Sequence, residues 1–166
     1  FATPRINVLS MNRILYRIKS SMEEPVSKMN LLVVGGTVVW PAGRARLNIG
    51  ISGGRIAYIG PETPKADATI DAGGLVVLPG GVDTHVHLMD PSSTDREDFP
   101  SGTDAAAHAG VTTIIEHTHG GPVRSSIDLR EKVEYLRGRS NVDFGLAAHA
   151  WTGESHLVRP LWEAGA

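Results

Sequence analysis

Between residues 29 and 78, short apolar runs are cut repeatedly by Gly and Pro. Residues 31–34 are apolar, Gly35-Gly36 turns, and 37–40 are β-branched or aromatic. After Pro41-Ala42-Gly43, residues 47–51 and 55–59 alternate loosely on either side of Ser52-Gly53-Gly54. Residues 68–70 and 75–78 follow, separated by Asp71-Ala72-Gly73-Gly74. Runs this short, broken roughly every 6 to 10 residues, predict a small β-sandwich or a meander of hairpins. A unit of about 50 residues has a thin core of its own and needs a neighbour to pack on.

After Pro79-Gly80-Gly81 the period changes. Residues 82–88 read as a strand. Residues 101–109 form an Ala-rich helix that Ser101 or Thr103 can cap and Gly110 can end. A β-branched strand covers 111–116, and a charged amphipathic helix covers 125–137. In that helix Ile127, Val133 and Leu136 carry the apolar side, and Ser125 with Asp128 can form a capping box before Gly138 closes it. A third strand spans 141–148, and a short helix over 157–163 has Pro160 in its first turn. Strand and helix alternating three times predict an α/β unit with a parallel sheet and crossover helices. The expected organisation is a leader or disordered tail at 1–28, a partial β-sandwich at 29–80 and three strand-helix units at 81–166.

Composition narrows the classes. The 166 residues carry 16 Lys and Arg against 18 Asp and Glu, so no basic field points to nucleic acid. Cysteine is absent, which removes disulfides, thiolate ligands and a Cys nucleophile. No apolar run reaches the ~18 residues of a membrane span, and no membrane partner is expected. Nineteen Gly exceed the usual ~7% and fit the many turns. Residues 1–21 hold Arg5, Arg13, Arg17 and Lys19 with no acid, as a mitochondrial presequence does. Translated upstream sequence or a disordered tail is the simpler alternative, with a cytoplasmic location. A chain opening on Phe1 reads as a processed product, a fragment or an incomplete reading frame.

The chemistry concentrates at Asp83-Thr84-His85-Val86-His87. Residues i and i+2 of a strand share a face, so His85 and His87 present two imidazoles at the C-terminal end of the first parallel strand. That is the end where β/α folds keep their chemistry. Two imidazoles so placed can share a metal ion, with carboxylate or water completing it. A histidine pair without a metal is the competing reading, and the Pro-Gly-Gly break with Asp83 and Asp90 nearby favours the metal. Asp83 either orients an imidazole or pairs with a basic side chain. Glu116-His117-Thr118-His119 points to the same rim. Glu116, His117 and His119 there contact substrate or a metal ligand, or form an ordinary polar strand end. His149, with Trp151 close by, either lines a substrate pocket or packs under a loop. Arg96, in the acidic loop 89–99, holds an anion or pairs with Glu97 or Asp98.

The stretch Gly74-Leu-Val-Val-Leu-Pro-Gly-Gly-Val-Asp-Thr-His-Val-His-Leu88 resembles the entry motif of the amidohydrolase superfamily. Its nearer likeness is to the cyclic amidohydrolases: dihydropyrimidinase (hydantoinase), allantoinase and dihydroorotase. Asp98-Phe-Pro-Ser-Gly-Thr-Asp-Ala-Ala-Ala-His-Ala-Gly-Val-Thr-Thr-Ile-Ile-Glu116 resembles the next stretch of the same group. The likeness runs from about Leu31 to Ala150. It implies the N-terminal portion of a (β/α)8 metal-dependent hydrolase barrel, preceded by part of a small β-sandwich. It also implies one or two divalent metals, usually zinc, with His85 and His87 on the first-strand ligand positions. In such enzymes a metal-bound hydroxide attacks the carbonyl of a cyclic amide, and an aspartate takes the proton. The full-length enzymes are homo-oligomers, often tetramers.

The resemblance also marks what this stretch lacks. A whole barrel takes roughly 250 residues. The family's later ligands are a carboxylated lysine, two further histidines and the aspartate base. Of the four lysines, Lys19, Lys28, Lys65 and Lys132, none is expected on a strand end. The chain alone is therefore not expected to catalyse. A catalytically inactive remnant acting as a binding or interaction protein is the reading from another class. Met89 stands where dihydroorotases carry an Arg before the acid and Pro, which leans toward allantoin-, hydantoin- or dihydropyrimidine-like substrates. Three strands of eight leave two open edges, which predicts self-association.

Overall fold

The computed structural model describes residues 28–119 and 121–166. Apart from Lys28, the leader read from the sequence lies outside the described residues. Contacts group the chain into one unit that ends at Leu78 and another that starts at Pro79.

The first unit contains β1 (Met29–Val34), β2 (Thr37–Trp40), β3 (Gly43–Arg46), β4 (Asn48–Ser52), β5 (Arg55–Gly60), β6 (Ala66–Asp71) and β7 (Val76–Val77). They make a four-stranded sheet in the order β5-β4-β1-β6 and a three-stranded sheet in the order β3-β2-β7. Each sheet mixes antiparallel hairpins with one parallel pairing, β1 with β6 and β2 with β7. Strand β3 replaces part of an expected turn. Trp40 partners Gly43, so the turn is only Pro41-Ala42. Strand β3 carries no apolar alternation of its own, because Arg44 and Arg46 flank the single apolar residue Ala45 of an edge strand. The β4–β5 hairpin turns through Gly53 and Gly54 at φ +57° and +72°, the left-handed region a tight primed turn demands.

Buried Asn48 ties this unit's turns together. Its Oδ1 accepts the Gly35 N–H at 2.9 Å, and its Nδ2 donates to the Glu62 carbonyl at 2.8 Å. A buried amide is tolerated when it is satisfied in this way. Met29 and Leu32 are the buried apolar residues of β1, one on each face of the strand.

The second unit contains β8 (Gly81–Val86), α1 (Phe99–His108), β9 (Val111–His117), α2 (Ser126–Leu136), β10 (Asp143–Ala147) and α3 (Ser155–Ala164). The strands form a parallel sheet in the order β10-β9-β8, with β8 and β10 as edges. This is a partial α/β barrel-like arrangement, and it is not closed. Its core joins Ile114 of β9 and Leu146 of β10 to Phe99, Leu129, Leu136 and Leu161 of the helices. Phe99 and Phe144 meet edge to face at 5.4 Å.

The helix boundaries carry three corrections. Asp98 caps α1, not Ser101 or Thr103: its Oδ1 accepts the Ser101 N–H at 2.9 Å. Pro100 then occupies the first turn, where its missing N–H costs nothing. Thr103 is buried and its hydroxyl donates back to the Phe99 carbonyl at 2.5 Å. The capping box at Ser125 and Asp128 is present on α2. Leu136 is buried and Val133 packs against the core as expected, with Leu129 and Lys132 buried beside them, whereas Ile127 is 58% exposed. Helix α3 begins at Ser155, so Pro160 falls inside it and not in its first turn. Among the described residues no helix is long and apolar enough to cross a membrane.

Candidate functional site

The histidine pair stands on an irregular strand end. Along β8 the register runs from Asp83 opposite Ile114 to Val86 opposite Glu116. Three steps on β8 therefore match two on β9, which is a β-bulge. Asp83 serves this bulge: its Oδ1 accepts the backbone N–H of His85 at 3.1 Å. It neither hydrogen-bonds an imidazole nor pairs with a basic side chain among the described residues, so both roles weighed for it from the sequence give way to a backbone one.

Beyond the bulge, four imidazoles line up. The rings of His85 and His87 are 5.0 Å apart and nearly perpendicular. His117 stacks on His85, with centroids 3.9 Å apart and planes 16° from parallel. His119 lies 3.9 Å from His87, tilted by 35°. His87 Nδ1 is 2.6 Å from the His117 carbonyl, and His117 Nε2 is 3.2 Å from the Thr84 carbonyl. A carbonyl only accepts, so His87 carries its proton on Nδ1 and His117 carries its proton on Nε2. The Nε2 of neutral His87 is thereby left with a free lone pair. A backbone carbonyl fixing the far nitrogen is how proteins orient a metal-ligating imidazole.

Glu116 and Asp90 do not join this cluster. Successive side chains of a strand face opposite ways, and Glu116 shares the helix-covered face with Ile114. Its Oε2 accepts from Lys132 Nζ at 3.0 Å, with the two side chains 1% and 8% exposed. The expected aim of Glu116 toward the histidine rim is overturned by that alternation. Lys132 stands on a helix and not on a strand end, as expected, and is the buried partner of Glu116. The signal was present: Lys132 is three residues from Leu129 and four from Leu136, on the same side of α2.

Asp90 is buried as well, and accepts from the Phe99 N–H at 2.9 Å, the Tyr135 hydroxyl at 2.8 Å and Arg139 Nη2 at 2.8 Å. Burial pushes its carboxyl up, and the Arg139 guanidinium, the Phe99 N–H and the Tyr135 hydroxyl together outweigh that, holding it below the ordinary carboxylate value. Asp90 therefore locks the loop after the histidines to the start of α1 and the end of α2. Among the described residues Arg96 makes no ion pair, and the expected bridge to Glu97 or Asp98 is absent.

His149 follows β10 and donates its backbone N–H to the Val123 carbonyl at 2.8 Å. Its Nδ1 is buried without a partner among the described residues. Trp151 is exposed, with the Arg124 guanidinium 5.7 Å from its ring and Arg124 ion-paired to Glu154. His149 belongs to none of the four-ring contacts.

Among the described residues no set of three or more His, Asp or Glu side chains is placed to hold a metal ion. The donor set present fits a divalent ion as two of its ligands: one imidazole with a fixed tautomer and a second beside it.

The family model for the amidohydrolase family matches residues 76–136, the stretch holding β8, α1, β9 and α2. An allantoinase of Deinococcus radiodurans is 38% identical over 133 residues, which are 78% of this chain and 29% of that protein. The solved L-hydantoinase (dihydropyrimidinase) of Arthrobacter aurescens is similar at a TM-score of 0.78 and 34% identity, over 83% of this chain and 32% of that one. A D-hydantoinase of Bacillus sp. AR9 is similar at a TM-score of 0.67 and 29% identity, over 80% of this chain and 30% of that one. The chain spans about a third or less of each of these relatives. Sequence and fold together support its kinship with the amidohydrolase superfamily, and within it with cyclic-amide relatives of the hydantoinase and allantoinase kind.

Proposed function

We propose that this chain contributes the first metal-ligand pair, His85 and His87, to a hydrolase that opens the ring amide C–N bond of a cyclic amide or ureide. One observation carries the reading: the 2.6 Å contact from His87 Nδ1 to the His117 carbonyl frees Nε2 next to the His85 ring. A divalent ion, zinc by preference, supplies a Lewis acid for the ring carbonyl and an acidified water when bound. The chain's own part is to hold two imidazoles at a strand end, one fixed by a carbonyl of the neighbouring strand. Two imidazoles alone make a weak site, so the remaining ligands and the base come from outside the described residues. Allantoin-, hydantoin- and dihydropyrimidine-like rings are the favoured substrates. The names of the relatives and Met89, in place of an anion-holding Arg, both support that choice.

The test is ring opening by a polypeptide that joins this chain to a complete barrel, assayed on hydantoin, dihydrouracil, allantoin and dihydroorotate. Turnover of one of the first three, abolished by chelation and by either His85→Ala or His87→Ala, is expected. Turnover that survives His87→Ala, or a preference for dihydroorotate, overturns the proposal.

A further inference from the structure

The family likeness accounts for two of the four imidazoles. His117 and His119 stand on and just after β9; the His117 ring lies face to face on His85, and the His119 ring meets His87 at a 35° tilt. His117 covers His85 at 3.9 Å, and His119 covers His87 at the same distance. Neither outer ring joins the inner pair in a set of three donors placed to hold an ion among the described residues. We infer that His117 and His119 are positioning residues, which fix the planes of His85 and His87 by stacking and so aim the two ligand nitrogens. The inference rests on the metal-pair reading above and deepens it.

The geometry gives each ring a separate anchor. A side chain at a strand end has two free torsions, and one hydrogen bond leaves rotation about that bond's axis open. His87 has the His117 carbonyl at Nδ1 and the His119 ring on its face, so both its tautomer and its plane are set. His85 has no ring hydrogen bond among the described residues, and the His117 ring is the contact that sets its plane. His117 is in turn pinned through Nε2 to the Thr84 carbonyl, within the β8 bulge. The bulge, the bond and the stack thus form one chain of supports ending on His85. Ring-on-ring contact restricts rotation of the covered imidazole, and the outer groups that orient a metal ligand, best known as hydrogen-bond partners, typically change metal affinity by about 10- to 100-fold.

The experiment compares replacements that keep a flat ring with replacements that keep only bulk. His117→Phe and His117→Leu, and likewise His119→Phe and His119→Leu, are made in the 166-residue chain. Two readouts are taken: the NMR shifts of the His85 and His87 ring protons without metal, and a Co²⁺ titration. Backbone amide spectra confirm that each variant keeps the fold. The Leu variants are expected to remove the ring-current shift from His85 (at 117) or His87 (at 119) and to weaken Co²⁺ binding about tenfold. The Phe variant at 119 is expected to preserve both, and the Phe variant at 117, which loses the bond to Thr84, to keep the ring-current shift and more affinity than Leu, a rescue that simple space-filling does not explain. Leu variants that match wild type in ring shifts and affinity overturn the inference, while loss of Co²⁺ binding in His85→Ala and His87→Ala leaves the metal reading standing. Co²⁺ binding indifferent to His85→Ala and His87→Ala overturns the metal reading, and with it the role of the outer rings in aiming ligands.

Discussion

Glu116 and His117 are neighbours on β9 and opposites in environment. The Glu116 carboxylate faces the helices, closed off from water and paired with Lys132 of α2. The His117 ring faces the other way, stacked on a His85 that is open to solvent. On one face Lys132 engages Glu116 Oε2 and leaves Oε1 buried without a partner among the described residues, and on the other face ring nitrogens stand open to solvent. A buried ion pair within the packed face marks stability, whereas solvent-open imidazoles held in place mark chemistry. Both faces are polar at this strand end, so polarity alone does not tell them apart.

If the helix-covered face is structural, breaking its ion pair has the largest effect on folding. Glu116→Ala leaves the Lys132 ammonium buried without its partner, which is expected to cost about 3–5 kcal/mol. Urea denaturation followed by circular dichroism measures it. Replacing both partners with apolar residues, Glu116→Leu with Lys132→Met, is expected to recover most of that loss, because no buried charge is then stranded. A single variant within 1 kcal/mol of wild type would show that water reaches the pair and that the two faces of β9 differ less than their geometry indicates.

Asp90 sharpens the same comparison through pH. Its carboxylate accepts three hydrogen bonds in the folded chain and sits below the ordinary carboxylate value. A group with a depressed folded pKa contributes stability that is fully present above its unfolded pKa of about 3.9 and is lost as pH falls through the folded value. Wild-type stability is therefore expected to fall on acidification below about pH 4. Asp90→Asn keeps the shape and removes the charge, at an expected cost of roughly 1.5–3 kcal/mol near neutrality. It should also flatten the acid limb of the stability curve. An acid limb identical in the variant would mean that other carboxylates, such as Asp98 and Asp128, carry it; both are also held below their ordinary values by capping hydrogen bonds.

These residues also show how far the sequence could be read. The strand-helix alternation, the capping box at Ser125 and the nearness of His85 to His87 all depend on local spacing, and local spacing is written in the chain. Asp83 and Asp90 were singled out for their nearness to that pair, yet each is claimed by something sequence distance does not show. A one-residue bulge turns Asp83 onto the His85 amide, and Arg139, 49 residues away, draws Asp90 into the core. Strand alternation alone separates Glu116 from His117, since neighbours on β9 face opposite ways. The partner of Glu116 was hidden for a different reason: a lysine in a run of charges looks solvated until the helix is phased on Leu129 and Leu136. The stack of His117 on His85 depends on β8 and β9 lying side by side with a slipped register, which no periodicity encodes.

The phase of α2 gives the finest test of the contrast. Reading Ile127, Val133 and Leu136 as its apolar side turns the helix toward Ile127, whereas the packed side runs through Leu129, Lys132 and Leu136. The two phases make opposite predictions at neighbouring positions. With Leu129 buried and Ile127 58% exposed, Leu129→Ala is expected to cost about 2–5 kcal/mol through lost packing and a residual cavity. Ile127→Ser is expected to change stability by no more than about 0.5 kcal/mol, since the side chain already meets water. Denaturation midpoints of the two variants decide between the phases. A larger loss at Ile127 than at Leu129 would rotate the helix, lift Lys132 out of the core and remove the partner that keeps Glu116 away from the histidine side of β9.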